Sequence, residues 1–286
     1  MQATAVTNLK DSYRRSESVA RGSNFYSGFR LLPSKKRLAL SAVYAFMRQC
    51  DDISDNEGSI NGKREQFVRW RALFDQAMRG HHLEPFTLDA LRDTVQRFEI
   101  PIDCFHKLID GTEMDLARDC YPTFDELYSY CYHVASIVGL ICLHIFGFRD
   151  PKAKECAEAC GIAFQLTNIL RDIKEDLQRN RIYLPLEDLR RFGYTEEDLR
   201  REVKDERFHA LMGFEVERAQ GFYGRARPLV GMLERDSRSA FWAMFESYRS
   251  ILRNIVRYDY DVLRQRVGLK SGDKLRIVIK ALLKGV

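Results

Sequence analysis

The chain has 286 residues, 45% of them apolar, and a formal net charge of +5. That balance excludes a disordered chain and leaves room for a large core. Basic and acidic residues interleave, which excludes a nucleic-acid stripe. The sequence shows neither an apolar run of the ~18 residues that a bilayer span needs nor the apolar core of a signal peptide.

The expected setting is therefore cytoplasmic, with one domain over residues 1–286. The seven cysteines form no CxxC pair and sit mostly in apolar helical patterns, as reduced thiols of a core do.

Taken in order, residues 1–22 are polar with a helical pattern. Gly22 to Phe29, ending in Leu31-Leu32-Pro33, reads as a non-helical entry segment, and Ser34 as the N-cap of a helix that runs into Asp51. Asn56, Gly58, Asn61 and Gly62 break the chain. Helices follow over 63–79, 86–98 and 101–118, the last with Pro101 in its first turn. Thr123 caps a long helix over 124–147. Gly139 inside it costs about 1 kcal/mol relative to alanine, so a neighbouring helix or a ligand should approach there, the neighbour being preferred. A helix over 152–178 carries Gln165, Asn168, Asp172 and Asp176 on one stripe. Residues 179–204 read as a connector in which Tyr183-Leu184-Pro185 ends any helix. Together with 56–62 it is the place to expect mobile loops. Helices return over 205–234 and 238–264, and 271–284 mixes apolar residues with lysines. No period-two alternation and no βαβ pattern occurs, so the fold class is all-α, a bundle of about ten helices.

Two acidic pairs carry the chemistry. Asp51 and Asp55 stand four residues apart, as do Asp172 and Asp176. On a helix each pair shares a face, and like charges so placed repel by about 0.2–0.5 kcal/mol unless a cation intervenes. A single such pair is ordinarily a solvated face. Here each pair ends an apolar helix and the two resemble each other, as two walls of one site would. Arg48 lies one turn before Asp51. Grouped carboxylates suit hard cations such as magnesium, which keeps waters and shares substrate phosphates. Facing pairs would hold metal ions with a diphosphate as shared ligand, over an apolar cavity inside the bundle. A di-iron bundle would need Glu-x-x-His on inward faces, and the carrier helices have none.

The stretch Tyr44 to Asp55 resembles the first aspartate motif of the squalene and phytoene synthases, and Gln165 to Asp176 resembles the second. Arg179-Asn180-Arg181-Ile182-Tyr183-Leu184-Pro185 is similar to the segment that follows it there. Asn24-Phe25-Tyr26 with Leu31-Leu32-Pro33 resembles the family's flap, and Tyr130 to Ala135 with Val138-Gly139 its central helix. Five motifs in order span about residues 20–267. The resemblance implies an isoprenoid-synthase bundle with a central cavity, and head-to-head (1'-2-3) condensation of two prenyl diphosphates. It further implies that Asp51, Asp55, Asp172, Asp176 and Asn168 hold two or three magnesium ions, with manganese as a substitute, and that Gln165 stands beside them. Tyr44, Arg48, Tyr248 and Arg266 would meet diphosphate, Tyr130 and Tyr183 the reaction cavity, and Val134, Ala135, Val138 and Gly139 the prenyl tunnel. Asn24, Phe25 and Tyr26 would close over the substrate. Departures are Asn24 where the family has serine, His133 where a small or basic residue is common, and Arg264 as a rival to Arg266.

In that family the metal ions and Arg48 would stabilise the departing diphosphate, and the apolar cavity would shield the allylic cation. The flap and the Cys50-Asp51-Asp52 text favour two farnesyl diphosphates joined to presqualene diphosphate. Phytoene synthase, using geranylgeranyl diphosphate, is the alternative, with dehydrosqualene or squalene synthase behind it. No GxGxxG follows a strand, so NADPH is not supported. A terpene cyclase would resemble the family at one motif only, and an assembly factor without catalysis would not need all four aspartates. The basic final segment reads either as a helix packed on the bundle or as a peripheral contact with the inner face of a membrane, which fits greasy products and downstream isoprenoid-pathway enzymes.

Overall fold

The computed structural model describes residues 2–23, 25–82 and 87–283, with side chains from residue 9 onward. Asn24, the first flap residue, lies outside the described residues. Among those described, β-structure is confined to two isolated bridges, Cys120 to Ile182 and Phe148 to Leu233. The all-α expectation holds, and the helices outnumber the expected ten because the connectors wind too.

Helix α1 spans Gln2–Ala20, and the entry segment holds a short α2, Tyr26–Phe29. Helix α3 spans Ser34–Asp55 and buries Leu40, Val43, Phe46, Cys50 and Ile53 at three- and four-residue steps. Its expected cap, Ser34, is instead the first helical residue. Pro33 precedes it, with φ −51° feeding the helix and no side-chain cap. Helices α4 (Ile60–Met78), α5 (Thr87–Arg97) and α6 (Ile102–Met114) follow. Pro101 also sits one residue ahead of its helix.

The helix expected over 124–147 is three pieces in one line: α7 (Phe124–Cys131), a π turn over Tyr132–Ser136, and α8 (Ile137–Phe146). Thr123 caps it, its hydroxyl accepting from the Glu126 amide at 3.3 Å. The inserted π turn shifts the helix phase, so Val134 and Ala135 both face inward along with Val138 and Gly139. The stretch Phe124–Phe146 is long and apolar enough to cross a bilayer. Its apolarity has a reason in the bundle, where it packs on α6 and on the long helix α9 (Ala153–Gln178).

The contact of α8 with α9 explains two glycines. A Cβ on Gly139 would stand 2.8 Å from the Ala157 carbonyl oxygen, and one on Gly161 2.5 Å from the Ser136 backbone. The neighbour expected at Gly139 is therefore α9, and the helices touch backbone to backbone.

The connector after α9 is ordered helix, contrary to its reading as a loop. Pro185 opens α10 (Leu186–Arg191) rather than ending a helix, and Thr195 caps α11 (Glu196–Arg200) in a capping box. Tyr194 and Leu199 anchor it in the core. Helices α12 (Glu206–Ala226), α13 (Leu229–Met232), α14 (Arg235–Arg257) and α15 (Ser271–Leu283) complete the bundle. One apolar core runs from Ala20 to Val267, with α9 packed between α8, α12 and α14. All seven cysteines are free thiols, and Cys50, Cys131 and Cys160 are buried, as the core reading expected.

Candidate active site

Beneath the ends of α3 and α9 lies a cavity of about 200 Å³. Phe25, Tyr44, Val134, Ala135, Val138, Gly139, Gln165, Asn168 and Tyr248 line it, so nine of the expected site residues share one space. Its floor is formed by apolar side chains such as Leu40, Leu143 and Phe146. Phe25 stacks on Tyr248 (centroids 5.2 Å apart), which stacks on Phe164 at 4.3 Å. This three-ring pile forms a wall that keeps water from the interior. Tyr26 does not join it. Its hydroxyl donates to Glu17 at 2.8 Å, which ties the short α2 to α1.

The acidic pairs stand above the cavity, and their surroundings differ. Asp172 is held by its neighbour Arg171 (Nε to Oδ1, 2.8 Å) and by Arg266 (Nε to Oδ1, 3.0 Å), and Arg266 also reaches Glu175 at 3.5 Å. Arg264, the rival, lies 4.0 Å from Asp261 and turns outward. Asp176 is half-buried. Burial, then the nearby Asp172, pushes its carboxyl up to about 7. On α3, Arg48 pairs with Asp52 at 2.8 Å rather than with Asp51 or Asp55. Asp51 keeps an open edge, yet desolvation by the surrounding protein, then Asp55, raises its carboxyl to about 7. Asp55 is reached by Arg179, from just beyond α9, at 3.1 Å. The two helix ends therefore meet across a shared set of charges.

At the centre of that set is Asp115, just past α6, which sequence reasoning missed. Its carboxylate accepts the Tyr183 hydroxyl at 2.8 Å and the Tyr130 hydroxyl at 3.2 Å, and its carbonyl accepts from Arg181 at 3.4 Å. Burial raises its carboxyl above the ordinary range, against the pull of Arg181. The signal was available: an acid immediately after an apolar helix is the feature that marks both pairs. Tyr130 and Tyr183 stack with their centroids 5.3 Å apart, and burial drives both hydroxyls far above their ordinary value. Arg171, Arg179 and Arg181 were likewise not singled out, although each lies within a quoted motif.

The donors fit a hard cation. Four carboxylates and the Asn168 amide are all oxygen ligands. Asn168 Nδ2 donates to Gln165 Oε1 at 3.3 Å, while Asn168 Oδ1 is buried with no hydrogen-bond partner among the described residues. A buried orphan acceptor costs about 1–3 kcal/mol, so it implies a missing partner. Among the described residues no three His, Cys, Asp or Glu side chains already converge as a cage. The fit is that of a site completed by water and phosphate oxygens, as magnesium prefers.

Comparison with known proteins agrees with this geometry. A family model described as squalene/phytoene synthase matches residues 19–273. The chain is 40% identical over 280 residues to a phytoene synthase of Arthrospira platensis, covering 93% of this chain and 90% of that one. It is 37% identical over 286 residues to a phytoene synthase of Mycobacterium tuberculosis, covering 98% and 94%. Among solved structures it is similar to a dehydrosqualene synthase in complex with ligand (TM-score 0.89, 26% identity, 99% of this chain and 100% of that one). It is also similar to squalene synthase HpnC from Alicyclobacillus acidocaldarius (TM-score 0.82, 26% identity, 89% and 96%).

Proposed function

This chain belongs to the squalene/phytoene synthase family of head-to-head prenyltransferases, and on that footing we propose that it joins two geranylgeranyl diphosphates into phytoene. The observation that carries the reaction class is an apolar cavity roofed by two acidic pairs and four arginines. The C20 substrate is supported by the relatives of 34–40% identity, which are named phytoene synthases. These relatives support the phytoene alternative over the presqualene preference read from the sequence. Cys50 is fully buried in the core, away from the cavity, and has no access to substrate.

Asp51, Asp55, Asn168, Asp172 and Asp176 would hold magnesium, or manganese in its place. When bound, the ions supply Lewis-acid stabilisation of the leaving diphosphate. The chain's own groups do the rest. Arg171, Arg179, Arg181 and Arg266 ring the mouth, and guanidinium is a bidentate donor to phosphate. They hold the diphosphate as the carbon–oxygen bond breaks and the oxygen keeps the electron pair. The Phe25–Tyr248–Phe164 pile and the apolar floor exclude water from the allylic cation. The alkene of the second substrate attacks that cation, and a proton leaves as the cyclopropane closes. Tyr130 Oη lies where it can pass a proton to Asp115 Oδ2, whose raised affinity suits it to receive one. Two departing diphosphates are balanced by two departing protons, so the product forms without a reductant.

Product analysis by mass spectrometry with each prenyl diphosphate, with and without NADPH, tests this. The expected result is a C40 hydrocarbon from geranylgeranyl diphosphate, independent of NADPH. A C30 product formed faster from farnesyl diphosphate would replace this reading with the presqualene or dehydrosqualene one. Absence of diphosphate release from either would favour an assembly role.

A further inference from the structure

Helix α15 is amphipathic the wrong way round for a helix that only covers a core. Ile277 and Ala281 point down, against Ala243, Leu31, Trp242 and Leu269. On the opposite side Leu275, Ile279, Leu282 and Leu283 are between 46% and 80% exposed. Their spacing of four, three and one places them on one outward arc. An isolated exposed leucine needs no explanation, but four on one arc need a partner.

The flank of that arc is basic. Arg276 and Lys280 turn toward a groove of about 1050 Å³ between α12, α14 and α15. Arg227, Arg249, Arg253 and Arg257 line the same groove, three of them stacked one turn apart along α14. Two acids share the groove, Asp273 and Glu246, against these six cations, and Glu246 pairs with Arg253 and, at 3.9 Å, with Arg249. No salt bridge is formed by Arg257, Arg276 or Lys280 among the described residues. Lys270 adds another exposed cation where α15 begins.

We propose that the outward row of α15 and the basic α12/α14/α15 groove together form a docking face for an anionic lipid surface. The apolar row would enter the acyl boundary while the arginines and lysines meet phosphate headgroups, the arrangement of an interfacial helix. Charge argues for this occupant over a second copy of the chain. Two copies would bring like-charged grooves together, and four side chains fall well short of the about 800 Å² per partner of a stable interface. The face also lies beside the reaction site. A pocket of about 190 Å³ is walled by Arg171, Tyr248 and Arg266 on one side and by Leu269 and Lys274 on the other. A docked molecule would keep its site next to the bilayer in which greasy products dissolve.

Flotation of the full chain with vesicles tests the proposal without measuring catalysis, so its outcome is independent of the substrate reading. Vesicles of phosphatidylcholine with about 40% phosphatidylglycerol should bind the protein at least about tenfold better than pure phosphatidylcholine, and salt should weaken that binding. Leu275→Gln with Ile279→Gln and Leu282→Gln should lower binding about tenfold or more at unchanged thermal stability, because all three side chains face solvent. Arg257→Gln with Arg276→Gln and Lys280→Gln should remove most of the preference for anionic vesicles. Equal binding to both vesicle types, no binding, or binding that survives both triple changes would overturn it. So would light scattering that shows a dimer abolished by the glutamine row while vesicle binding is absent.

Discussion

The acidic pairs of α3 and α9 are nearly interchangeable as text and differ as structure. On α9 the chain brings its own counter-charges, since Arg171 and Arg266 both hold Asp172. On α3 the nearest arginine, Arg48, is spent on Asp52, and the pair receives one cation from across the gap, Arg179 on Asp55. The α9 pair is the pre-set wall and the α3 pair the open one. Identical spacing thus fixes which carboxylates share a face, and the surroundings decide how each is charged before substrate arrives.

The largest expected effect comes from removing either wall. Asp51→Ala and Asp172→Ala should each lower turnover by on the order of 10³-fold, with helix content and thermal midpoint retained. Full activity in either variant would break the assignment of the pairs to one site. Next is Asp115, which serves neither helix but lies between them. Asp115→Asn keeps shape and leaves Tyr130 and Tyr183 without their charged acceptor, so turnover should fall roughly 10²-fold, chiefly in kcat. A change confined to KM would make Asp115 a substrate-binding group instead. A smaller effect separates the two arginine candidates. Arg266→Gln should cost about tenfold and raise KM, whereas Arg264→Gln, at an outward position, should leave kinetics unchanged.

Acidity sharpens the same contrast. Asp51 and Asp176 both have carboxyls raised to about 7 without metal, so protons would compete with the proposed magnesium there. Magnesium affinity measured by calorimetry should rise with pH up to about 7 and then level. Both groups hold protons more tightly folded than unfolded. Their contribution to stability in metal-free protein is therefore complete below the ordinary carboxylate value of 3.8 and lost as pH rises through about 7. The two shifts are alike, so Asp176→Asn and Asp51→Asn should flatten the curve to a similar extent, and the double change should flatten it most. The smallest effect is structural. Gly161→Ala drives a methyl against the Ser136 backbone and should destabilise by about 1–3 kcal/mol in denaturant unfolding.

Much of this architecture was legible in the sequence because it rests on periodicity. The apolar steps of α3 and α9 fix which face is buried, and that places the acids at the helix ends. What was not legible depends on contacts between elements. The π turn at Tyr132–Ser136 has no local sign in composition, yet it sets which side chains face the cavity. Ser34 and Pro33 exchanged roles because a proline with φ near −51° can open a helix without a side-chain cap. Asp115 was passed over as a lone acid, since only the fold brings Tyr130, 15 residues away, and Tyr183, 68 residues away, onto one carboxylate. The flap resemblance puts Tyr26 toward substrate, but as the neighbour of Phe25 at the start of a helix it points elsewhere, to Glu17.

The central claim is that two distant acidic pairs act as one metal-dependent site. A double-mutant cycle tests it most directly. Magnesium-dependent binding of a non-ionisable prenyl thiodiphosphate would be measured by calorimetry for the parent, Asp51→Asn, Asp172→Asn and the double variant. Coupling of about 1 kcal/mol or more between the two positions is predicted, the double variant losing much less than the sum of the singles. Losses that simply add would show two independent sites and contradict the account.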